Sequence, residues 1–148
     1  MSKTLLRGAR KGFILAFAGL LSACASTDRV YLTGSRRLNV CEGQEAHPVG
    51  VRVYYLSATE RFMKADFATL WENDLEALQD DRIKVSDVTV VPQNQNEIVL
   101  ERPDGAKSIG IVANFCKPGE GCWRALVPLE DRKQKVRVHL DEGCLSID

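Results

Sequence analysis

The sequence has no apolar run long enough to cross a bilayer, which takes about 20 consecutive apolar residues. Its N-terminal run, Phe13 to Leu21, is too short. It also lacks a glycine-rich phosphate loop and any Ser or Cys nucleophile in a recognisable elbow with a base nearby, so no enzyme is expected. Without a C-x₂-C pair or a tight Cys/His cluster, a metal site using the cysteines with His47 or His139 is disfavoured, and no cofactor is expected. Repeats and low-complexity tracts are absent as well. What remains, 45% hydrophobic and 27% charged residues over 148 positions, is the composition of one globular domain.

Zero net charge conceals an asymmetry. Lys3, Arg7, Arg10 and Lys11 are unopposed before residue 24, so the rest of the chain carries −4. A mildly acidic domain has no electrostatic footprint for nucleic acid, and protein partners are expected instead.

The basic start, the short apolar run and the small residues after it have the layout of a secretory signal peptide. Leu21-Ser22-Ala23-Cys24 adds the lipobox of bacterial lipoproteins, in which the thiol is acylated and becomes the new N-terminus. Residues 1–23 are thus expected to be removed, 24–29 to form a lipidated tether, and 30–148 to form the domain. Each buried methylene contributes roughly 0.8 kcal/mol, so two or three acyl chains on Cys24 anchor stably where one does not. Ala25, in place of the Asp that favours inner-membrane retention, points to the outer membrane with the domain facing the periplasm.

Four other cysteines remain: Cys41, Cys116, Cys122 and Cys144. An even number in an oxidising compartment reads as two disulfides, with three possible pairings. Cys116 and Cys122 flank a Lys-Pro-Gly-Glu-Gly turn, which predicts that they bond across a hairpin, leaving Cys41 for Cys144. Loop entropy would make these rings worth about 2 and nearly 5 kcal/mol.

Most of the domain alternates apolar and polar residues with period two, the pattern of half-buried strands. The runs are Val30, Leu32 and Leu38; Val49 to Tyr55; Val88 and Val90, preceded by a short piece at Ile83 and Val85; and Ile98 with Leu100. Ile109 to Phe115, Trp123 to Leu129 and Val136 to Leu140 follow. Turn residues such as Pro103-Asp104-Gly105 separate them. Seven or eight short strands at this spacing predict an antiparallel all-β sandwich. One stretch, about 58–82, differs: Met63, Phe67, Leu70, Trp71, Leu75 and Leu78 recur every three or four residues. This predicts a helical insertion of two or three pieces, packed on the sandwich. Ser57 with Glu60 is a candidate capping box, Asp66 a candidate cap, and Asn73-Asp74 a candidate break. Trp123 and Arg124 are residue types favoured at interface centres, but Trp123 shares the alternation of the strand core.

Several segments resemble the TssJ (SciN/VasD) lipoproteins of type VI secretion systems. These are Leu38-Asn39; Val51-Arg52-Val53-Tyr54-Tyr55-Leu56; Phe62 and Ala65-Asp66-Phe67 with Leu70; Ile109 to Phe115; and Trp123-Arg124-Ala125 with Val127-Pro128-Leu129. In order and behind a lipobox, they span nearly the whole mature chain. The resemblance implies a transthyretin-like sandwich anchored in the outer membrane. It also implies a complex with the periplasmic C-terminal part of TssM and, through it, TssL. In the family the loop between the first two strands is implicated in contacting TssM. Here that loop is Asn39 to Gly50, with Asn39, Val40, Glu42, Gly43, Gln44, Glu45, Ala46 and His47 as the candidate contact residues. Where the family often has Leu-Asn-Pro-Asp, this chain has Leu38-Asn39-Val40-Cys41. A disulfide at Cys41 is expected to restrain the loop in place of proline's fixed φ. The competing expectation is a different envelope lipoprotein whose sandwich binds a small ligand or acts as an inhibitor or chaperone.

Overall fold

The computed structural model describes residues 26–148. The signal segment and Cys24 lie outside the described residues. Eight strands form two four-stranded sheets. The first sheet is built from β1 (Thr27–Gly34), β4 (Gln95–Glu101), β7 (Lys135–Leu140) and β8 (Leu145–Ile147), in the order β4-β1-β7-β8. The second holds β2 (Val49–Leu56), β3 (Arg82–Val90), β5 (Ser108–Asn114) and β6 (Arg124–Pro128), in the order β3-β2-β5-β6. The all-β sandwich is therefore as the periodicity indicates.

Four details differ from expectation. β1 and β7 pair in parallel, Val30 opposite Val136 and Leu32 opposite Val138. The chain changes sheets between β6 and β7, so no hairpin forces β7 to run against its new neighbour. β3 is one continuous strand, and a register shift opposite Tyr55 and Leu56 absorbs its irregularity. Leu38 lies beyond β1, in a turn that returns it fully buried to the core. The domain also starts earlier than residue 30, because Thr27 to Arg29 are already strand and Asp28 is buried.

A charged residue at a buried strand position is tolerated here because every lone pair is used. Arg102 donates to Asp28 through Nε (2.9 Å) and Nη2 (2.6 Å), Tyr55 through its hydroxyl (2.8 Å), and Gln134 through its backbone N–H (2.9 Å). Burial opposes ionisation of Asp28, yet these donors and the guanidinium charge outweigh it and hold the carboxyl below its ordinary value. Burial, then the adjacent carboxylate, pushes the Tyr55 hydroxyl the other way, up.

The main core lies between the sheets, around Val30, Leu32, Val51, Val53, Tyr55, Ile109, Ile111, Val136 and Val138. A second cluster of Tyr54, Leu56, Phe62, Leu70, Leu78 and Val112 fills the opposite face of the β2/β5 sheet, beneath the helical insertion. Covered on both faces, Val53 to Leu56 and Ser108 to Ala113 are buried without interruption, which is what an apolar run without alternation means in a strand. Phe62 sits so close to the sheet that a Cβ on Gly110 would lie 2.8 Å from its ring.

The insertion is three short helices, α1 (Glu60–Lys64), α2 (Phe67–Glu72) and α3 (Asp74–Leu78), followed by a single 3₁₀ turn. Asp66 caps α2, accepting from the Thr69 N–H at 2.7 Å, and Asn73 divides α2 from α3. The Ser57–Glu60 capping box does not form. The Ser57 hydroxyl instead donates to the Asp80 carbonyl (3.3 Å), and Thr59 precedes α1 with no side-chain cap. Because the helices change direction, no single stripe persists: Phe62 turns inward while Met63 and Leu75 are 49% and 65% exposed. Two arginines fasten the insertion to the sheet. Arg124 donates to the carbonyls of Phe62, Met63 and Ala65 at 2.6–2.8 Å, while Arg52 donates to that of Trp71 at 2.7 Å. Each also lies over a neighbouring indole, Arg124 on Trp123 and Arg52 on Trp71. Both thus satisfy carbonyls left open where short helices end.

Candidate partner-binding surface

The direction of β1 gives the sandwich two opposed ends. The chain enters at Thr27, beside the Asp28–Arg102 pair and the β6–β7 connection. It reaches the β1–β2 loop eight residues later, roughly 25 Å away at about 3.3 Å per residue. The β5–β6 loop and the β7–β8 turn lie at this same far end, because β5 and β7 both finish there.

Asn39 organises that end. It adopts φ +50°, a left-handed conformation that asparagine tolerates better than most residues. Its side-chain amide donates to the Pro48 carbonyl (2.9 Å) and its Oδ1 accepts the Cys116 N–H (2.9 Å). Its own N–H donates to the Asp141 carbonyl at 3.2 Å. One side chain and its backbone thus tie the β1–β2 loop to itself, to the β5–β6 loop and to the β7–β8 turn. The His47 N–H, donating to the Leu38 carbonyl at 3.0 Å, closes the loop's base. Asn39 is itself buried, so it shapes the surface from below.

The disulfides join the same three segments, in a pairing other than the one the hairpin spacing predicts. Cys41 is bonded to Cys116, with Cα atoms 5.6 Å apart, and Cys122 to Cys144, at 4.8 Å. Cys116 and Cys122 do not face each other because the hairpin's last pairing is the Ala113 N–H with the Trp123 carbonyl. Beyond it the two arms part, one toward Asn39 and the other toward Gly143 and Cys144. The rings enclosed are 75 and 22 residues apart in sequence, worth about 4 and 3 kcal/mol on the loop-entropy estimate.

Of the candidate contact residues, Glu42, Gly43, Gln44 and Glu45 are exposed, and Val40, Ala46 and His47 are half-buried. Gly43, at φ +92°, forms the tip. An ion pair between Arg37 and Glu142 and a hydrogen bond from Ser35 to Asp141 knit the loop base to the β7–β8 turn. The turn at Asp141 to Cys144 and the positioning role of Asn39 are not legible in the sequence; the one available signal is an asparagine, a residue that tolerates left-handed backbone, directly after the lone apolar Leu38. Trp123 is half-buried, packed edge-on to Phe67 with ring centroids 5.4 Å apart. Together with Arg124 it packs on the insertion, while its carbonyl closes the last pairing of the β5–β6 hairpin.

Among the described residues, no group of three or more His, Cys, Asp or Glu side chains could hold a metal. His139 contacts Asp148 at 2.7 Å, and the four cysteines are consumed in disulfides. No helix among these residues is long and apolar enough to cross a membrane.

A family profile described as type VI secretion lipoprotein, VasD, EvfM, TssJ matches residues 26–143. No curated protein matches by sequence. Among solved structures, the Serratia marcescens Lip protein, a membrane-bound component of the type VI secretion system, is similar with a TM-score of 0.78 and 18% identity. That match covers 84% of this chain and 98% of that one. TssJ1 of Pseudomonas aeruginosa gives 0.78 at 19% identity, covering 84% and 95%. A chain in the structure of the TssM C-terminal domain (869–1107) from EAEC gives 0.72 at 21% identity, covering 83% and 98%.

Proposed function

Since the chain belongs to the type VI secretion lipoprotein family, we propose that it is the outer-membrane anchor of that system's membrane complex. In this reading residues 1–23 are removed, and Cys24 carries the acyl chains. The domain faces the periplasm and binds the periplasmic C-terminal region of TssM through the loop Asn39 to Gly50, with TssL joined through TssM. The family is a structural component of the secretion system, and the role needs no chemistry from this chain.

The observation that carries the reading is the opposition of the two ends. The N-terminal entry, three residues after Cys24, and the restrained loop lie at opposite ends of β1. A lipid on Cys24 would therefore leave the loop as the part of the domain presented away from the membrane. A loop held by a disulfide and by Asn39 has lost conformational freedom before binding, which favours affinity. The structure of the TssM C-terminal domain adds support. The chain matched there is 98% covered by 83% of this one, so it is about the size of this domain rather than of a 869–1107 segment.

Two experiments test the parts separately. Cys24→Ser should leave the protein absent from the outer-membrane fraction and abolish secretion while the domain still folds; an outer-membrane pool of the variant contradicts the anchoring. The full lipoprotein in detergent should retain the TssM periplasmic region in a pull-down and lose it when residues 42–46 are replaced by Gly-Ser. Unchanged capture by a folded variant rejects the loop as the contact.

A further inference from the structure

We infer that the partner surface is larger than the β1–β2 loop: Lys117 to Gly121 of the β5–β6 loop forms a second contact segment, rigidly joined to the first. The inference rests on the reading that TssM docks at this end, and it concerns the same partner.

The β5–β6 loop is restrained from both sides. Near its start Cys116 is bonded to Cys41 and gives its N–H to Asn39; near its end Cys122 is bonded to Cys144. In between, the Gly119 N–H donates to the Gly143 carbonyl at 2.8 Å. The contact between loop and turn excludes side chains altogether. A Cβ on Gly143 would lie 2.1 Å from the Lys117 carbonyl oxygen, and one on Gly119 would lie 2.5 Å from Cys144 Sγ.

The residues so restrained are not themselves part of the core. Lys117, Pro118, Glu120 and Gly121 are exposed, and none belongs to either apolar cluster. Ordering a residue's backbone costs roughly 1–2 kcal/mol, and an exposed polar loop recovers little of it by burial. Two disulfides and two sterically obligatory glycines thus fix a surface that contributes nothing inside the fold. Preorganised exposed segments are what binding rewards, because the ordering cost no longer falls on the complex.

The β1–β2 loop cannot be engaged broadly without approaching this segment, since Cys41 and Cys116 are joined directly. Glu42, Glu45, Glu120, Asp141 and Glu142 outnumber Arg36, Arg37 and Lys117 among the exposed charges of this end. The complementary partner face is therefore one rich in basic and N–H donor groups.

The test measures affinity of the full lipoprotein in detergent for the purified TssM periplasmic region by biolayer interferometry. Hydrogen exchange on the complex is measured alongside. Glu120→Lys and a triple change of Lys117, Pro118 and Glu120 to Ala should each weaken binding about tenfold, with melting temperature and disulfide map unchanged. Asp104→Lys, at the opposite end, should leave it within twofold. The Lys117–Gly121 amides, apart from Pro118, should gain protection in the complex. If Glu45→Lys weakens binding while both β5–β6 variants stay within twofold and these amides are unprotected, the inference is overturned and the loop reading stands. If the unaltered lipoprotein fails to bind, both fall.

Discussion

Arg102→Met isolates the Asp28 pair, the most fully desolvated charge interaction in the domain's core. The Asp28 side chain is 0% exposed and that of Arg102 12%, so the substitution leaves a buried carboxylate with only Tyr55 and the Gln134 N–H as donors. Removing one partner of a buried pair costs about 3–5 kcal/mol. At roughly 2.1 cal/mol/K of unfolding entropy per residue, a domain of this size should then melt about 12–20 °C lower at pH 7. The pH dependence separates an electrostatic loss from a packing loss. In the unaltered protein the Asp28 carboxyl sits below its ordinary 3.8. Its stabilisation is therefore complete above the unfolded-state value and is lost only as pH falls through the folded one. In the variant, burial is no longer opposed by the guanidinium, so the folded carboxyl is raised. The variant gains stability relative to its own pH 7 value as pH falls through that raised position toward about 4. Circular dichroism melts of both proteins at pH 7 and pH 4.5 should show the gap narrowing. A gap below about 4 °C at pH 7, or the same gap at both values, refutes the account.

Three further outcomes are expected. Arg124→Ala removes charged hydrogen bonds to three α1-end carbonyls and should cost about 2–3 kcal/mol. Amide exchange should quicken in Glu60–Leu70 while β1 and β7 stay protected; equal quickening everywhere argues against a local fastening. Gly110→Ala places a methyl group 2.8–2.9 Å from the Phe62 ring and should destabilise by about 1–3 kcal/mol. Gly110→Ala combined with Phe62→Leu should recover part of that loss in a urea titration, and strict additivity would show that the two sites do not touch. Non-reducing peptide mapping should find Cys41 linked to Cys116 and Cys122 to Cys144; a Cys116–Cys122 peptide would overturn the arrangement of the far end.

Seven of the eight strands were legible because period-two alternation reports directly on which side chains face an apolar layer. The signal faded where a strand met two layers. Val53 to Leu56 reads as a continuous apolar run, and only the insertion packed on Tyr54 and Leu56 explains it. Alternation also could not reveal Asp28, whose burial depends on Arg102, 74 positions away. β8, with three residues and one buried leucine, is too short to carry a period. The helical stripe indicated an insertion and four of its inward residues, Phe67, Leu70, Trp71 and Leu78, but it also turned Met63 and Leu75 inward and passed over Phe62, since a periodicity drawn through three helices assumes one axis.

The cysteines show most clearly where local reasoning stops. Flanking a Pro-Gly turn made Cys116 and Cys122 look like cross-strand partners, which would hold if the ladder continued to the loop. It ends at Ala113 and Trp123, so each cysteine is placed by whichever segment packs beside it rather than by the hairpin. For Cys116 that segment is the β1–β2 loop, brought there by β1 and β2 lying in opposite sheets; for Cys122 it is the β7–β8 turn, brought there by the sheet change before β7. Both placements follow from the topology of the whole sandwich. The consequence is functional as much as architectural. A Cys116–Cys122 bond would close one loop on itself and leave the β1–β2 loop free of it. The observed bonds instead weld three separate connections into one rigid end, opposite the point where the chain enters the domain.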